Sequence, residues 1–323
     1  MSEKGVTVTA PDGAEVPGTE VAPEPDRKIF RDELVTAGLL VLTGTDGIYG
    51  RSAVYEDVAS AVDGLAVRAA AAEGSAAYRF PPVMPRRVLE ETGYLSSFPD
   101  MIGAVSTFTG DNRDHMQLLD LVESGGEWAT MLEPAGVTLC PAVCHPLYPT
   151  LAGTLPEGGG RYDVYGWCFR HEPSVDPARM QAFRQHDLVY VGDAASAREH
   201  RNRWLQLGLE VLGALGLSVE PVVANDPFFG RAGRILANNQ LEETLKYEIV
   251  SPIHSPEYPT AIASANCHLD HFGQPFGIET SSGEVAHSCC FGFGIDRITL
   301  ALFRTHGMRP SDWPTATRSH LWP

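Results

Sequence analysis

The sequence predicts an α+β fold, in which helices pack on a mainly antiparallel β-sheet. The strand-like runs come in groups rather than alternating one by one with helices, which favours antiparallel pairing. The 323 residues are 43% hydrophobic, enough for a sizeable buried core. The chain has neither an internal repeat nor a GxxxxGK phosphate loop, so a repeat architecture and a P-loop site are not expected.

The order of the elements follows from hydrophobic spacing. Helical spacing predicts helices at 52–74, 197–217, 241–250 and 295–303. The proline-rich segment 80–99 is expected to combine an extended stretch with a short helix. Strand-like runs are read at 115–122, 128–134, 136–151, 161–170, 260–269 and 276–294.

Composition separates a tail from a body and excludes some functions. Residues 1–28 lack an apolar signal-peptide core and are expected to form a disordered N-terminal tail, whereas 29–323 form one catalytic domain. No 18-residue apolar run exists, so no membrane span is expected. Six cysteines without a secretion signal indicate reduced thiols in the cytoplasm. A net charge of −17 disfavours a nucleic-acid partner.

The segment 166–191, GWCFRHEPSVDPARMQAFRQHDLVYV, predicts a hairpin with chemistry on one face. Strand alternation places Phe183, Gln185 and Asp187 on one side, with Phe183 and Asp187 roughly 13 Å apart. Arg170 ends the first arm. An aromatic ring suits a nucleotide base and a guanidinium suits a phosphate, which favours a nucleotide site. An exposed hairpin with scattered charges is the alternative.

Several segments carry a resemblance to class II aminoacyl-tRNA synthetases. FRHE followed by MQAFRQHD resembles their motif 2, GFGIDRITLALF (292–303) their motif 3, and FPPVMPRRVLEETGYLSSFP their motif 1 at the dimer interface. The closest resemblance is narrower. CHPLYP, DPFFGRAGRILANNQLEETLKYEIVSPI, SANCHLDHFG and CFGFGIDR resemble the amino acid:[carrier protein] ligases, which are shortened relatives of atypical zinc-dependent seryl-tRNA synthetases. The resemblance covers about residues 29–323 and implies a class II synthetase-like antiparallel sheet flanked by helices.

The resemblance implies an ATP site in this sheet. Arg297 would hold the γ-phosphate and Arg170 the α-phosphate, and both count as catalytic. Arg297 also opens a helix, where the macrodipole disfavours a cation, which independently points to a ligand. The other implied contacts are Glu172 at the adenine end, Phe183 on the base and Arg179 as a weaker phosphate contact. Asp187, Asn266 and, less securely, Lys246 would bind substrate.

The resemblance also implies a zinc ion. Cys144 and Cys290 stand where the family has two thiolate ligands, and Asp187 where it has a glutamate. Two thiolates and one carboxylate leave one open position, which the substrate's α-amino group would fill. Cys140 and Cys289 are rivals, His186 points to the other face of its strand, and a site of reduced, metal-free thiols is the alternative. Cys168 and Cys267 are interpreted as small buried hydrophobes.

The carboxylate for Mg²⁺ is left open. Seryl synthetases carry a glutamate six residues before the Asn of their SxN stretch, and this position is Thr260 here. Glu279 and Glu284 are possible replacements.

The function implied by the resemblance is ATP-dependent activation of an amino acid as aminoacyl-adenylate. The aminoacyl group would then pass to the phosphopantetheine thiol of an acyl or peptidyl carrier protein. No tRNA is expected as acceptor, because about 28 tail residues replace a tRNA-binding domain, and a homodimer is expected. Two alternatives are a truncated synthetase that charges tRNA or a small molecule, and a non-catalytic regulatory paralogue.

Overall fold

The computed structural model describes residues 22–323, without the side chains of residues 231 and 232. The helices are α1 (Glu24–Thr36), α2 (Ala53–Ala72), α3 (Arg86–Glu91), α4 (Tyr94–Ser97), α5 (Asn112–Glu123), α6 (Ala194–Ala214), α7 (Gly230–Glu242), α8 (Gly273–Phe276), α9 (Ile295–His306) and α10 (Thr315–Leu321). The strands are β1 (Leu40–Leu42), β2 (Tyr49–Arg51), β3 (Ala76–Arg79), β4 (Val83–Pro85), β5 (Ala104–Thr107), β6 (Glu133–Leu139), β7 (Gly153–Thr154), β8 (Gly160–Phe169), β9 (Ala182–Gly192), β10 (Glu220–Val223), β11 (Lys246–Ser255), β12 (Tyr258–Leu269), β13 (Ile278–Glu279) and β14 (His287–Gly294). Within residues 22–323, no helix combines the length and apolar character needed to cross a membrane.

A seven-stranded sheet organises the fold. Its strand order is β10-β11-β12-β14-β9-β8-β3, and every pairing is antiparallel except that of β3 with β8. The predicted α+β class with an antiparallel sheet is therefore confirmed. Since β8 and β9 form a ten-residue ladder, the predicted hairpin of 166–191 is also present.

One face of this sheet is covered by α2, α6 and α9, and we call it the helix-covered face. Helix α2 begins where the Ser52 side chain accepts a hydrogen bond from the Tyr55 backbone N–H. The apolar residues that follow recur every three or four positions and are buried: Tyr55, Val58, Val62 and Ala66. Helix α6 is capped in the same way by Asp193. The opposite face, which we call the cavity face, carries the candidate site.

A smaller three-stranded sheet, β4-β6-β5, precedes the main hairpin in the chain. Its strand β4 belongs to the motif 1 segment, where it gives way to α3 as expected for 80–99. Helix α5 connects β5 to β6 and buries none of its residues.

Two expectations about elements were wrong. The run 115–122 lies within helix α5, because the Asp111 and Asp114 side chains form reciprocal capping bonds at its start. The run 241–250 is not a helix: α7 ends at Glu242, Thr244 takes a positive φ of 52°, and β11 begins at Lys246.

The boundary of the predicted tail also needs correction. Helix α1 begins at Glu24, so ordered structure starts before residue 29, and Pro25 in its first turn supplies the fixed φ that suits a helix start. Residues 1–21, which form most of the predicted tail, lie outside the described residues. Their disorder stays a prediction.

Candidate active site

A cavity of about 750 Å³ opens on the cavity face of the main sheet. Nine of the ten predicted site residues line it: Cys144, Arg170, Glu172, Phe183, Asp187, Lys246, Asn266, Cys290 and Arg297. The tenth, Arg179, is ion-paired to one of these nine. The structure therefore brings together residues that lie up to 153 positions apart in the sequence, from Cys144 to Arg297.

Strand register explains why these residues meet. Cys290, Asn266 and Lys246 are direct partners across β14, β12 and β11, so they form one row on the sheet. Directly paired residues point to the same face, and neighbouring strands lie about 4.8 Å apart. The row therefore spans roughly 10 Å from the Cys290 Cα to the Lys246 Cα.

A second row contains a glycine next to a predicted ligand. Gly292 on β14 is the direct partner of Asp187 on β9 and of Ser264 on β12. A Cβ at Gly292 would lie 2.8 Å from the Asp187 Oδ1. Glycine at this position therefore leaves room for the Asp187 carboxyl.

Arg170 and Phe183 stand together at one end of the hairpin. The Arg170 Cζ lies 5.4 Å from the centroid of the Phe183 ring, and its Nε donates to the Pro141 carbonyl at 3.0 Å. This bond uses one of five guanidinium donors. Among the described residues, the other four have no hydrogen-bond partner, so they are available to an anion in the cavity.

Two other predicted ATP contacts bind each other. Arg179 Nη1 donates to Glu172 Oε1 at 2.9 Å, and the Arg179 side chain is 41% exposed. Arg179 therefore lies at the rim rather than in the wall of the cavity. Sequence reasoning had no means of foreseeing this ion pair, because the loop conformation creates it.

Arg297 is a partly buried cation without a carboxylate partner among residues 22–323. Its Nε donates to the Ala178 carbonyl at 2.7 Å and its Nη1 to the Ala261 carbonyl at 3.0 Å. Burial, followed by the nearby Arg179, lowers the pKa of Arg297 below its usual value. Both causes disfavour the charged form, and a bound polyanion would offset them.

The three predicted zinc ligands adjoin one another. The Cys144 thiol and the Cys290 sulfur are hydrogen-bonded, which raises the pKa of Cys144 and lowers that of Cys290 well below its usual range. Asp187 is hydrogen-bonded to Cys144, and burial raises its pKa to about 8. Asn266 Nδ2 donates to the Cys290 sulfur at 3.4 Å.

Sequence reasoning missed His268 in this cluster. Its Nε2 lies 3.5 Å from the Cys290 sulfur, while its Nδ1 lies 3.0 Å from the Ser288 hydroxyl. The spacing within SANCHLDH could have revealed it. His268 follows Asn266 by two residues, which puts both side chains on the same face of a strand, and the register of β12 with β14 shifts only after Cys267.

The rival ligands lie elsewhere. Cys140 donates to the Ala142 carbonyl and Cys289 packs with Tyr190 and Ala197, and neither lines the cavity. His186 points to the helix-covered face, as predicted, and binds Asp63 and Asp163. All six cysteines are free thiols.

The donor types of this cluster suit zinc, but their spacing is that of hydrogen-bonded neighbours. In residues 22–323, no group of three or more His, Cys, Asp or Glu side chains is arranged to hold a metal ion. Zinc therefore stays a proposal.

Lys246 is not a free cation. Its Nζ lies 2.6 Å from Asp226 Oδ1 and 3.0 Å from Glu248 Oε1. Although burial lowers the pKa of Lys246, the two carboxylates outweigh it and raise the pKa above its usual value. Since its charge is already neutralised, a direct contact with an anionic ligand needs one of these carboxylates to move.

The two carboxylates suggested for Mg²⁺ do not reach the cavity. Glu279 lies on β13 and Glu284 in the following turn, and neither lines the wall. Glu248 does line it, on β11 directly opposite Ser264. It was overlooked because 241–250 was read as a helix, which hides the period-two alternation of the strand.

Gln185 lies between Phe183 and Asp187 on the cavity face, as strand alternation predicts. Its Oε1 accepts a hydrogen bond from the Cys168 thiol at 3.1 Å. Cys168 is therefore more than a small buried hydrophobe, because it fixes the orientation of an amide in the cavity wall.

The chain is similar to known ligases of two kinds. No protein-family model matches the chain. "Amino acid--[acyl-carrier-protein] ligase 1" of Bradyrhizobium diazoefficiens is 42% identical over 280 residues, which cover 86% of this chain and 86% of that protein. A "Type-2 serine--tRNA ligase" of Methanopyrus kandleri is 26% identical over 257 residues, 73% of this chain but 49% of that protein. The chain therefore spans about half the length of the curated serine–tRNA ligases it matches.

Solved structures show the same fold. The M. kandleri SerRS, in complex with tRNASec of A. aeolicus, superposes with a TM-score of 0.77 at 21% identity over 90% of this chain and 60% of that chain. Seryl-tRNA synthetase from Pyrococcus horikoshii, complexed with ATP, gives 0.65 at 14% identity over 90% and 62%. The predicted class II synthetase-like fold is thus confirmed. Given the 42% identity over most of its length, the chain belongs to the family of amino acid–[acyl-carrier-protein] ligases.

Proposed function

We propose that this enzyme activates an amino acid with ATP and transfers it to the phosphopantetheine thiol of a carrier protein. The family carries the reaction class, since its members are named amino acid–[acyl-carrier-protein] ligases. The supporting observation in the structure is the pair Arg170 and Arg297. Both guanidinium groups line one cavity, and both keep N–H donors without a partner among the described residues.

The first step joins the amino acid to AMP. A carboxylate oxygen of the amino acid attacks the α-phosphorus of ATP, the bond to the bridging oxygen breaks, and pyrophosphate leaves. Arg170 donates to the α-phosphate, where charge develops in the transition state, and Arg297 holds the γ-phosphate. The Phe183 ring stacks on adenine, and Glu172 contacts the adenine end.

The second step makes a thioester. The thiol of the carrier's phosphopantetheine loses its proton and attacks the aminoacyl carbonyl, and AMP leaves with the bonding electron pair. A carrier protein is favoured over tRNA as acceptor, because a net charge of −17 repels a polyanion. A cytoplasmic location, which the reduced thiols suggest, stays a prediction.

Zinc fits the donor set of Cys144, Asp187 and Cys290, with His268 as a neighbour. Because burial raises the pKa of Asp187 to about 8, binding of a divalent cation would displace the carboxyl proton, as metal ligands must be deprotonated. When bound, zinc would orient the substrate's α-amino group. Magnesium would accompany ATP. Glu248, which lines the cavity on β11 opposite Ser264 of β12, is the candidate carboxylate for it.

The main experiment is pyrophosphate exchange across the amino acids, followed by transfer of the labelled amino acid. Label should pass to a pantetheinylated carrier and be released by hydroxylamine, and the apo-carrier should take none. Charging of bulk tRNA at a comparable rate would favour a truncated synthetase instead. Absence of exchange with every amino acid would favour a non-catalytic regulator.

Zinc is tested by elemental analysis of protein purified without chelators. About one zinc per chain is expected from one three-ligand site. Asp187→Glu, which supplies the family's residue, should retain the metal, whereas Cys290→Ala should lose it. Metal-free protein with full exchange activity would contradict the proposal.

A homodimer is supported by helix α5. Met116, Leu119 and Val122, together with Trp128, are 42–58% exposed, an apolar surface that suits a second copy of this chain. Replacement of Met116 and Val122 by Glu should shift the mass in sedimentation from dimer to monomer. Val41→Glu, at a similarly exposed residue of β1, is the matched control.

A further inference from the structure

A buried histidine–carboxylate hydrogen bond behind the motif 2 loop has no part in the reaction described above. His254, near the end of β11, places its Nε2 3.0 Å from Asp176 Oδ1 in that loop. The two side chains are 2% and 8% exposed. A buried pair of this kind costs desolvation, so it is weak support for stability alone.

This pair continues as a chain of hydrogen bonds to Arg297. The same Asp176 Oδ1 accepts the Ala178 backbone N–H at 2.8 Å. The Ala178 carbonyl in turn accepts the Arg297 Nε–H at 2.7 Å. His254 is thus connected to the cavity arginine through two residues of the motif 2 loop.

The surroundings of His254 hold its ring in one place. The Phe30 ring of α1 packs edge-on against it with centroids 5.9 Å apart, and Arg304 of α9 donates to its backbone carbonyl at 3.3 Å. The His254 Nδ1 is buried without a partner among the described residues. Among the described residues, the His254 ring therefore makes its polar contact through Nε2–H, which donates to Asp176.

Ala178 matters because Arg297 has few other anchors. The second anchor is the Ala261 carbonyl on β12. Two fixed carbonyls in different elements define the plane of the guanidinium and direct its three remaining N–H donors. If the Ala178 carbonyl moved, Arg297 would keep one anchor and lose its fixed orientation.

We propose that His254 and Asp176 are positioning residues, which set the Ala178 carbonyl and thereby aim Arg297 at the γ-phosphate of ATP. This inference rests on the proposed function. Neither residue touches the nucleotide, so their effect should depend on whether the nucleotide carries a γ-phosphate.

The test compares the affinities for ATP and AMP by calorimetry. His254→Leu, which fills the site without a donor, should weaken ATP binding about tenfold, in line with one misplaced charge-assisted bond, and leave AMP binding unchanged. His254→Gln offers an amide donor and should restore most of the ATP affinity. Asp176→Asn provides the same test if His254→Leu does not fold. His200→Leu, at another buried histidine, is the control and should change neither affinity.

A double mutant shows whether the effect runs through Arg297. His254→Leu should add no further loss of ATP affinity to Arg297→Ala, because both remove the same interaction. Equal losses for ATP and AMP, unchanged ATP affinity in a folded His254→Leu variant, or an additional loss in the double mutant would overturn the inference. A wild-type chain that binds no ATP would instead overturn the proposed function.

Discussion

The two faces of the main sheet treat buried charge in opposite ways. On the helix-covered face, Asp296 binds Arg184 at 2.7 Å and Arg51 at 3.2 Å, and it also accepts the Tyr55 hydroxyl. Although burial raises the pKa of Asp296, the two arginines outweigh it and hold the pKa below its usual value. These charges satisfy one another.

On the cavity face, the charges are left incomplete. Arg297 binds only neutral carbonyls among residues 22–323, and burial lowers its pKa. Burial raises the pKa of Asp187 to about 8. Residues three positions apart on one strand, Arg184 and Asp187, thus have different roles. The paired charges hold the elements together, and the incomplete ones are available to a ligand.

The largest expected effect comes from breaking the paired cluster. Asp296→Ala leaves the Arg51 and Arg184 guanidinium groups buried without their carboxylate, which should lower the free energy of unfolding by about 3–5 kcal/mol. Urea unfolding monitored by circular dichroism measures this. The exposed Asp57→Ala on α2 is the control and should change it by less than about 0.5 kcal/mol. Equal stability of the two variants would contradict the structural role of the cluster.

Breaking the incomplete face should change activity rather than stability. Arg297→Ala should slow pyrophosphate exchange on the order of 10²–10³-fold, because one phosphate clamp is lost. Its free energy of unfolding should stay within about 1 kcal/mol of wild type, since the residue removed is a partly buried cation that has no carboxylate partner among residues 22–323. Arg184→Ala is the matched comparison and should mainly lose stability. An unfolded Arg297→Ala, or one with wild-type exchange, would count against the assigned role.

A smaller effect should appear at acid pH on the helix-covered side. Burial lowers the pKa of His200 to about 4, and its Nε2 has no partner among the described residues. Between pH 4 and about 6.5, His200 is protonated in the unfolded chain more readily than in the folded one. The folded state therefore has its full stability above this range of pH, and its free energy of unfolding falls as the pH decreases through it. The loss at pH 4 should be about 3 kcal/mol for this group. Relative to His200→Leu, the wild type should therefore lose unfolding free energy as pH falls, and parallel pH curves would contradict this.

Sequence reasoning predicted which side chains of β9 share the cavity face, because strand alternation is local. Successive side chains of a strand point to opposite faces, so the strand conformation alone places Phe183, Gln185 and Asp187 on the same face. The choice of Cys144 and Cys290 over Cys140 and Cys289 came from their places in motifs, and the structure puts only the chosen pair in the cavity wall.

Sequence reasoning did not predict the partners that are distant along the chain. Lys246 was expected to meet a ligand, yet Asp226, which holds it, lies twenty positions earlier in another loop. Glu248 lies in the part of β11, 246–250, that was read as a helix, and the contact of His254 with Asp176 joins β11 to a loop 78 positions earlier. Such pairings follow from sheet register, which one sequence does not specify.

The enclosure of Lys246 has a practical consequence for handling the protein. The chain has three lysines, and the other two, Lys4 and Lys28, lie within its first 28 residues. A protonated ammonium between two carboxylates is a poor nucleophile, whereas Lys28 is exposed on α1. Amine-reactive biotin or resin should therefore attach within the first 28 residues of the chain and leave Lys246 unmodified.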